Sequence, residues 1–122
     1  MLKFLSVLAL VVLLLVPGYA QSAPQATATW NAVTTSVTGQ PVTGVTYNIY
    51  RSLNADGSVA TKLNGSLIAL TTYVDTTLLG TTTYYFQVAG VNSDGVEGAK
   101  SAIVRFNFSD KIPTSPAGFT VK

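Results

Sequence analysis

The chain has 122 residues, 48% hydrophobic and only 10% charged, with seven Lys and Arg against five Asp and Glu. This excludes an intrinsically disordered chain, which needs low hydrophobicity and high charge, and with no basic run it gives no footing for nucleic-acid binding. Cysteine and histidine are absent, so disulfides, thiolate or imidazole metal sites, Cys nucleophiles and Ser-His-Asp triads cannot be built, and no cofactor is expected.

Residues 1–20 read as a secretory signal peptide. Met1-Leu2-Lys3 is a short positive start, 4–16 is apolar apart from Ser6, Pro17 breaks the run, and Gly18 and Ala20 sit at the −3 and −1 positions of a cleavage site. The apolar run is shorter than the roughly 20 residues a membrane span needs. Cleavage after Ala20 is therefore expected to leave 21–122 as a secreted or periplasmic chain with no stable membrane span. Removing Lys3 leaves six basic groups against five acidic ones, so the mature chain is nearly neutral.

From there apolar and polar residues alternate in short runs divided by Gly, Asn, Asp and Pro, the pattern of half-buried strands and tight turns. The first run is 26–30, with Ala26, Ala28 and Trp30 on one face, and a polar loop follows over 31–44. The second is 45–51, with Val45, Tyr47 and Ile49 on one face and Asn48 and Tyr50 on the other. Asn54-Ala55-Asp56-Gly57 is a turn. Residues 60–69 predict a shorter edge strand interrupted at Asn64-Gly65, and 71–76 a further strand. The longest is 82–91, with Tyr84, Phe86 and Val88 inward and Tyr85 and Gln87 outward. A turn at 92–95 leads into a last strand over 99–108. Many short strands at this spacing imply an all-β sandwich or barrel.

Trp30, Tyr47-Asn48-Ile49-Tyr50-Arg51, Tyr73-Val74-Asp75 before Leu78, and the run from Thr83 to Asn92 together resemble a fibronectin type III domain. The resemblance covers 26–106 and implies an immunoglobulin-like β-sandwich, here a single-domain exported member of bacterial or phage type. It implies that Tyr84 is the tyrosine-corner residue, Trp30 the core residue of the second family strand, strand B, and Leu78 the anchor of the loop between family strands E and F, just before Tyr84. The structural core is expected at Trp30, Tyr47, Ile49, Leu78, Tyr84, Phe86 and Val88. Two departures stand out. The Pro-Gly pair expected before the corner is a lone Gly80, and the first family strand, strand A, is short or missing, because 26–30 begins almost at the mature N-terminus.

No acid, base or nucleophile constellation emerges, so an exported non-enzymatic binding or spacer module is expected, with an unknown protein or polysaccharide as partner. Three features compete as its contact surface. Tyr50 and Tyr85, flanked by Asn48 and Gln87, offer an aromatic face that could stack on sugars, or ordinary cross-strand pairs. The loops 31–44 and 92–98, which the resemblance brings to one pole, offer Thr38, Gln40, Asp94 and Glu97, or merely connect strands. The acidic turns around Asp56 and Asp94 carry too few carboxylates for calcium loops and read as plain turns. Two sequons, Asn64-Gly65-Ser66 and Asn107-Phe108-Ser109, have meaning only in a eukaryotic host.

The domain is expected over 21–109, leaving a Pro-containing tail over 110–122. In tandem fibronectin type III arrays such a tail begins the next domain's strand A. It reads either as a loosely docked remnant or as a strand donor, Phe119-Thr120-Val121 completing the open edge beside Ala26 and Trp30 of another chain in weak head-to-tail self-association. Mass spectrometry of the exported protein should find Gln21 at the N-terminus; an intact Met1 contradicts the export reading.

Overall fold

The computed structural model describes residues 23–122, so the export-signal reading of residues 1–20 lies outside the described residues. Six strands follow in order: β1 Ala26–Thr29, β2 Thr46–Ser52, β3 Thr61–Lys62, β4 Thr72–Asp75, β5 Thr83–Val91 and β6 Val104–Asn107. A 3-10 helix closes the folded part at Phe108–Lys111, capped by the Asn107 side chain, which accepts from the Ser109 N–H at 2.8 Å. The strands form two antiparallel sheets, β1-β4 and β3-β2-β5-β6. This is an all-β sandwich, one of the two architectures the alternating runs allow and the one the resemblance implies.

Alternation explains what lies between the sheets. In β2, Tyr47 and Ile49 are buried while Asn48 and Tyr50 are not, as a period of two on a half-buried sheet requires. In β5, Tyr84 and Phe86 are buried. Ile49, at 1% exposure, forms a core cluster with Ala26, Leu78, Tyr84 and Phe86, and Ala28, Trp30, Leu63, Ile68, Tyr73 and Phe106 pack against it. Trp30 meets Tyr47 edge-on at 5.4 Å between ring centroids. The Leu79 N–H donates to Tyr84 Oη at 2.9 Å, which ties the loop after β4 to the start of β5. That is a tyrosine-corner bond, from a tyrosine hydroxyl to backbone a few residues upstream.

Two strands are shorter than their sequence runs. Over 60–69 only β3 pairs as a strand, and Ile68 makes a single bridge to Tyr47. Asn64 takes the place of the missing ladder: its Oδ1 accepts from the Ile49 N–H at 2.9 Å, and its Nδ2 donates to Asn48 Oδ1 and the Ser66 carbonyl. Over 99–108 only β6 is a strand. Before it, Ser101 faces Val88, donating its N–H to the Val88 carbonyl and accepting the Val88 N–H on Oγ. A side chain there replaces a main-chain rung, which ends regular pairing.

Among the described residues no strand lies beyond β1. The Trp30 N–H donates to the Thr71 carbonyl, and β1 pairs with β4 in the register Ala28 to Tyr73 and Ala26 to Asp75. Antiparallel rungs alternate, so Thr27 and Thr29 direct their N–H and C=O groups to the open side. Val88 stands on the inner face opposite Ile49 yet is only half-buried, and Trp30 is half-buried as well. Truncating the half-buried Trp30 to Ala should destabilise the domain by about 3 kcal/mol, the lower end for aromatic truncations. Chemical denaturation measures this, and a loss below about 1 kcal/mol would mean that the indole contributes little to the core.

Candidate functional site

The two sheets do not cover each other evenly, and a concavity lies on the uneven side. A groove of about 470 Å³ runs between the open side of β1 and the stretch 101–106. One wall is 26–30. The other carries Ser101, Ala102, Val104 and Phe106, and the floor is Ile49, Phe86 and Val88. No titratable side chain is among the lining residues. The indole Nε1 of Trp30 is buried and has no hydrogen-bond partner among the described residues; a donor left in this state costs about 1–3 kcal/mol.

A second concavity, of about 650 Å³, lies under the turn that follows β2 and is lined by Arg51, Asn54, Thr61, Thr77 and Tyr84 among others. Its cation is engaged. Arg51 Nη1 donates to Asp75 Oδ2 at 2.7 Å and to Thr77 Oγ1 at 2.8 Å, and the guanidinium lies 4.7 Å from the centre of the Tyr84 ring. The Asp75 side chain is 4% exposed and that of Arg51 20%. Burial pushes the Asp75 carboxyl upward. Hydrogen bonds from the Thr77 hydroxyl and N–H, with the bond and charge of Arg51, outweigh it and hold the carboxyl below its ordinary value.

The aromatic face of the four-stranded sheet is locked by its own neighbours. Tyr50 lies opposite Gln87, and Tyr85 opposite Ser52 one rung pair away. Glu97, grouped by sequence with the loop residues, reaches this face: its Oε1 accepts from Tyr50 Oη at 2.6 Å and from Asn48 Nδ2 at 3.0 Å. Those two bonds, the Tyr50 bond first, lower the Glu97 carboxyl, and the same bond raises the Tyr50 phenol. The Lys100 ammonium sits 4.1 Å from the centre of the Tyr50 ring, so a cation already occupies the surface on which a sugar would stack. Gln87 donates to the Ser101 carbonyl at 2.9 Å.

The remaining loop residues serve their own turns. Thr38 Oγ1 lies 3.0 Å from Ser36 Oγ, and Gln40 donates its N–H to Ser36 Oγ while its carbonyl accepts from the Ser36 N–H. The Asp94 N–H donates to Asn92 Oδ1, and Asp56 Oδ1 accepts from the N–H and Oγ of Ser58. These are the local bonds of ordinary Asx and Ser/Thr turns. No group of three or more Asp and Glu that could hold a metal ion occurs among the described residues.

No family model matches the chain, and no curated protein matches it. Among solved structures, the crystal structure of an Fn3-like protein from Clostridium thermocellum matches with a TM-score of 0.54 at 32% identity, over 70% of this chain and 78% of that one. The chain belongs to the Fn3-like proteins. Within this Fn3-like domain, the sequence signals reached the aromatic core but missed three placements: Arg51 against Asp75, Lys100 over Tyr50, and buried Asn64. An Arg four residues after a buried Tyr and an Asp closing a strand were both visible. Nothing local tied residues 24 apart to each other.

The ion pair gives a pH-dependent test. The Asp75 carboxyl is lowered in the folded state, so its stabilisation is complete above the unfolded carboxylate range and is lost as pH falls through the folded value. Asp75→Asn should cost about 3 kcal/mol at neutral pH by leaving Arg51 without its counter-charge, and the difference from the parent should shrink steadily in acid. Thermal melts over a pH series measure it; a difference that does not change with pH would exclude the ion pair as the source.

Proposed function

We propose that this Fn3-like domain is an exported, non-enzymatic binding module that holds an extended peptide segment by strand addition along the open side of β1. The observation that carries the reading is the pairing of two features in one place. Thr27 and Thr29 turn main-chain donors and acceptors outward, and an apolar groove lies directly beside them. Strand addition uses such a combination, with main-chain bonds for affinity and apolar pockets for alternate side chains. The lining holds Thr, Ser and Gln but no acid or base, which suits recognition and gives hydrolytic or transfer chemistry nothing to work with. The signal-like composition of residues 1–20 supports export.

The sheet face around Tyr50 and Tyr85 has weaker support as a polysaccharide site. A sugar ring would have to displace Lys100 from Tyr50, and Glu97 already takes the tyrosine hydroxyl.

Panning the mature chain 21–122 against a displayed library of short peptides tests the reading. Selected peptides should slow hydrogen exchange at the Thr27 and Thr29 amides, which have no strand partner among the described residues. Peptides that bind while leaving both amides unprotected would place the binding surface elsewhere.

A further inference from the structure

We propose that the segment taken by the groove is the C-terminal end of a second copy of this chain, residues 117–121, lying antiparallel to β1. The proposal rests on the reading of the groove as a strand acceptor.

The donor is present and has nothing else to do. Beyond the 3-10 helix every residue of the tail is exposed, including Phe119 at 82% and Val121 at 83%. Ala117, Phe119 and Val121 alternate with Gly118 and Thr120. As an extended strand, the three apolar side chains share one face, while Gly118 and Thr120 take the other. Five extended residues span roughly 16 Å, the length of the 26–30 wall.

The acceptor is selective because both outer strands of the four-stranded sheet are guarded. Natural edges are protected by charges that an incoming strand would have to bury. β3 carries the exposed Lys62 and β6 the exposed Arg105, paired with Asp110, whereas Asp75 of β4 is already buried against Arg51. β1 reads Ala-Thr-Ala-Thr and has no charge.

Direction decides between a chain's own tail and another's. Pro24, two residues before β1, lies beside Gly80, and so do Phe108 and Ser109; Ser109 Oγ donates to the Gly80 carbonyl. The tail therefore leaves from the pole at which β1 begins. Folded back along its own groove, it would run parallel to β1. The tail of a copy stacked on the opposite pole enters past Trp30 and runs antiparallel, the more stable pairing. Each copy then donates at one end and accepts at the other, a heterologous contact that does not close on itself.

Sedimentation velocity on the mature chain 21–122 over a rising concentration series tests this. The weight-average mass should climb beyond that of a dimer, and the emission of the single tryptophan should shift to the blue as the groove fills. Phe119→Asp disables the donor and Thr27→Pro removes an outward N–H of the acceptor; each alone should remain monomeric. Mixed together, they should form a one-to-one complex and stop there, because one accepts and the other donates. Should Thr27→Pro fail to fold, Val104→Asp, at an exposed position of the groove wall, replaces it as the disabled acceptor. A parent chain that is monomeric throughout, a Phe119→Asp chain that still assembles, or a mixture that forms no complex would each overturn the proposal. A monomeric parent whose Thr27 and Thr29 amides are still protected by selected peptides overturns the self-donor alone. Loss of peptide binding as well overturns the strand-acceptor reading.

Discussion

A sheet of two strands has to cover a sheet of four, and most of the molecule follows from that mismatch. β1 and β4 lie over the side chains of β2 and β5, and the core cluster forms where they overlap: Ala26 from one side, Ile49, Tyr84 and Phe86 from the other. On the inner face, burial stops where the coverage stops. Val88 lies one rung pair from Phe86, on the same inner face, but is half-buried, and Val104 of β6 is exposed. At about 25 cal/mol per Å² of apolar surface, an uncovered stripe of this kind is a standing incentive to bury it against something.

The two margins of the small sheet meet that shortfall differently. Along β4 the closure is electrostatic: Arg51 crosses from β2 to Asp75 and Thr77 while its guanidinium packs on Tyr84. A buried charge pair gains little over apolar packing, but breaking one partner is costly, so the pair fixes how the sheets sit on each other more than it adds stability. Along β1 no such crossing exists among the described residues. That margin has unpaired backbone and an indole donor with no acceptor, so one side of the sandwich is locked and the other is left for an occupant.

The alternation at 45–51 and 82–91 made β2 and β5 legible, because strands buried on one face expose their period directly. Among the described residues no strand precedes β1, which agrees with the short or missing strand A that the resemblance led us to expect. Strand lengths at the margins were not legible. Whether 60–69 and 99–108 pair along their whole length depends on Asn64 and Ser101 replacing rungs with side-chain bonds, and neither residue type announces that in sequence. The site was legible in parts. The outward set Asn48, Tyr50, Tyr85 and Gln87 does lie on the face away from the small sheet, but the chemistry of that face is set by Glu97 and Lys100, which arrive from a loop. The groove could not be read at all, because a concavity between two strands 75 residues apart is a property of coverage, and no local pattern encodes it.

A free strand edge is a hazard unless it is blocked or used. With charged residues at only 10%, this chain has few to spend on protection, and it places exposed ones on β3 and β6. Leaving β1 as alternating Ala and Thr sets it apart from those strands. Thr at the outward positions keeps the β-propensity high and the backbone accessible, and Ala at the inward ones leaves the groove wall low enough for larger side chains to enter. A blocked edge would call for a Lys or Pro at Thr27 or Thr29, and a merely solvated one would leave no apolar cavity behind it. The combination present here is that of an edge kept ready for a strand.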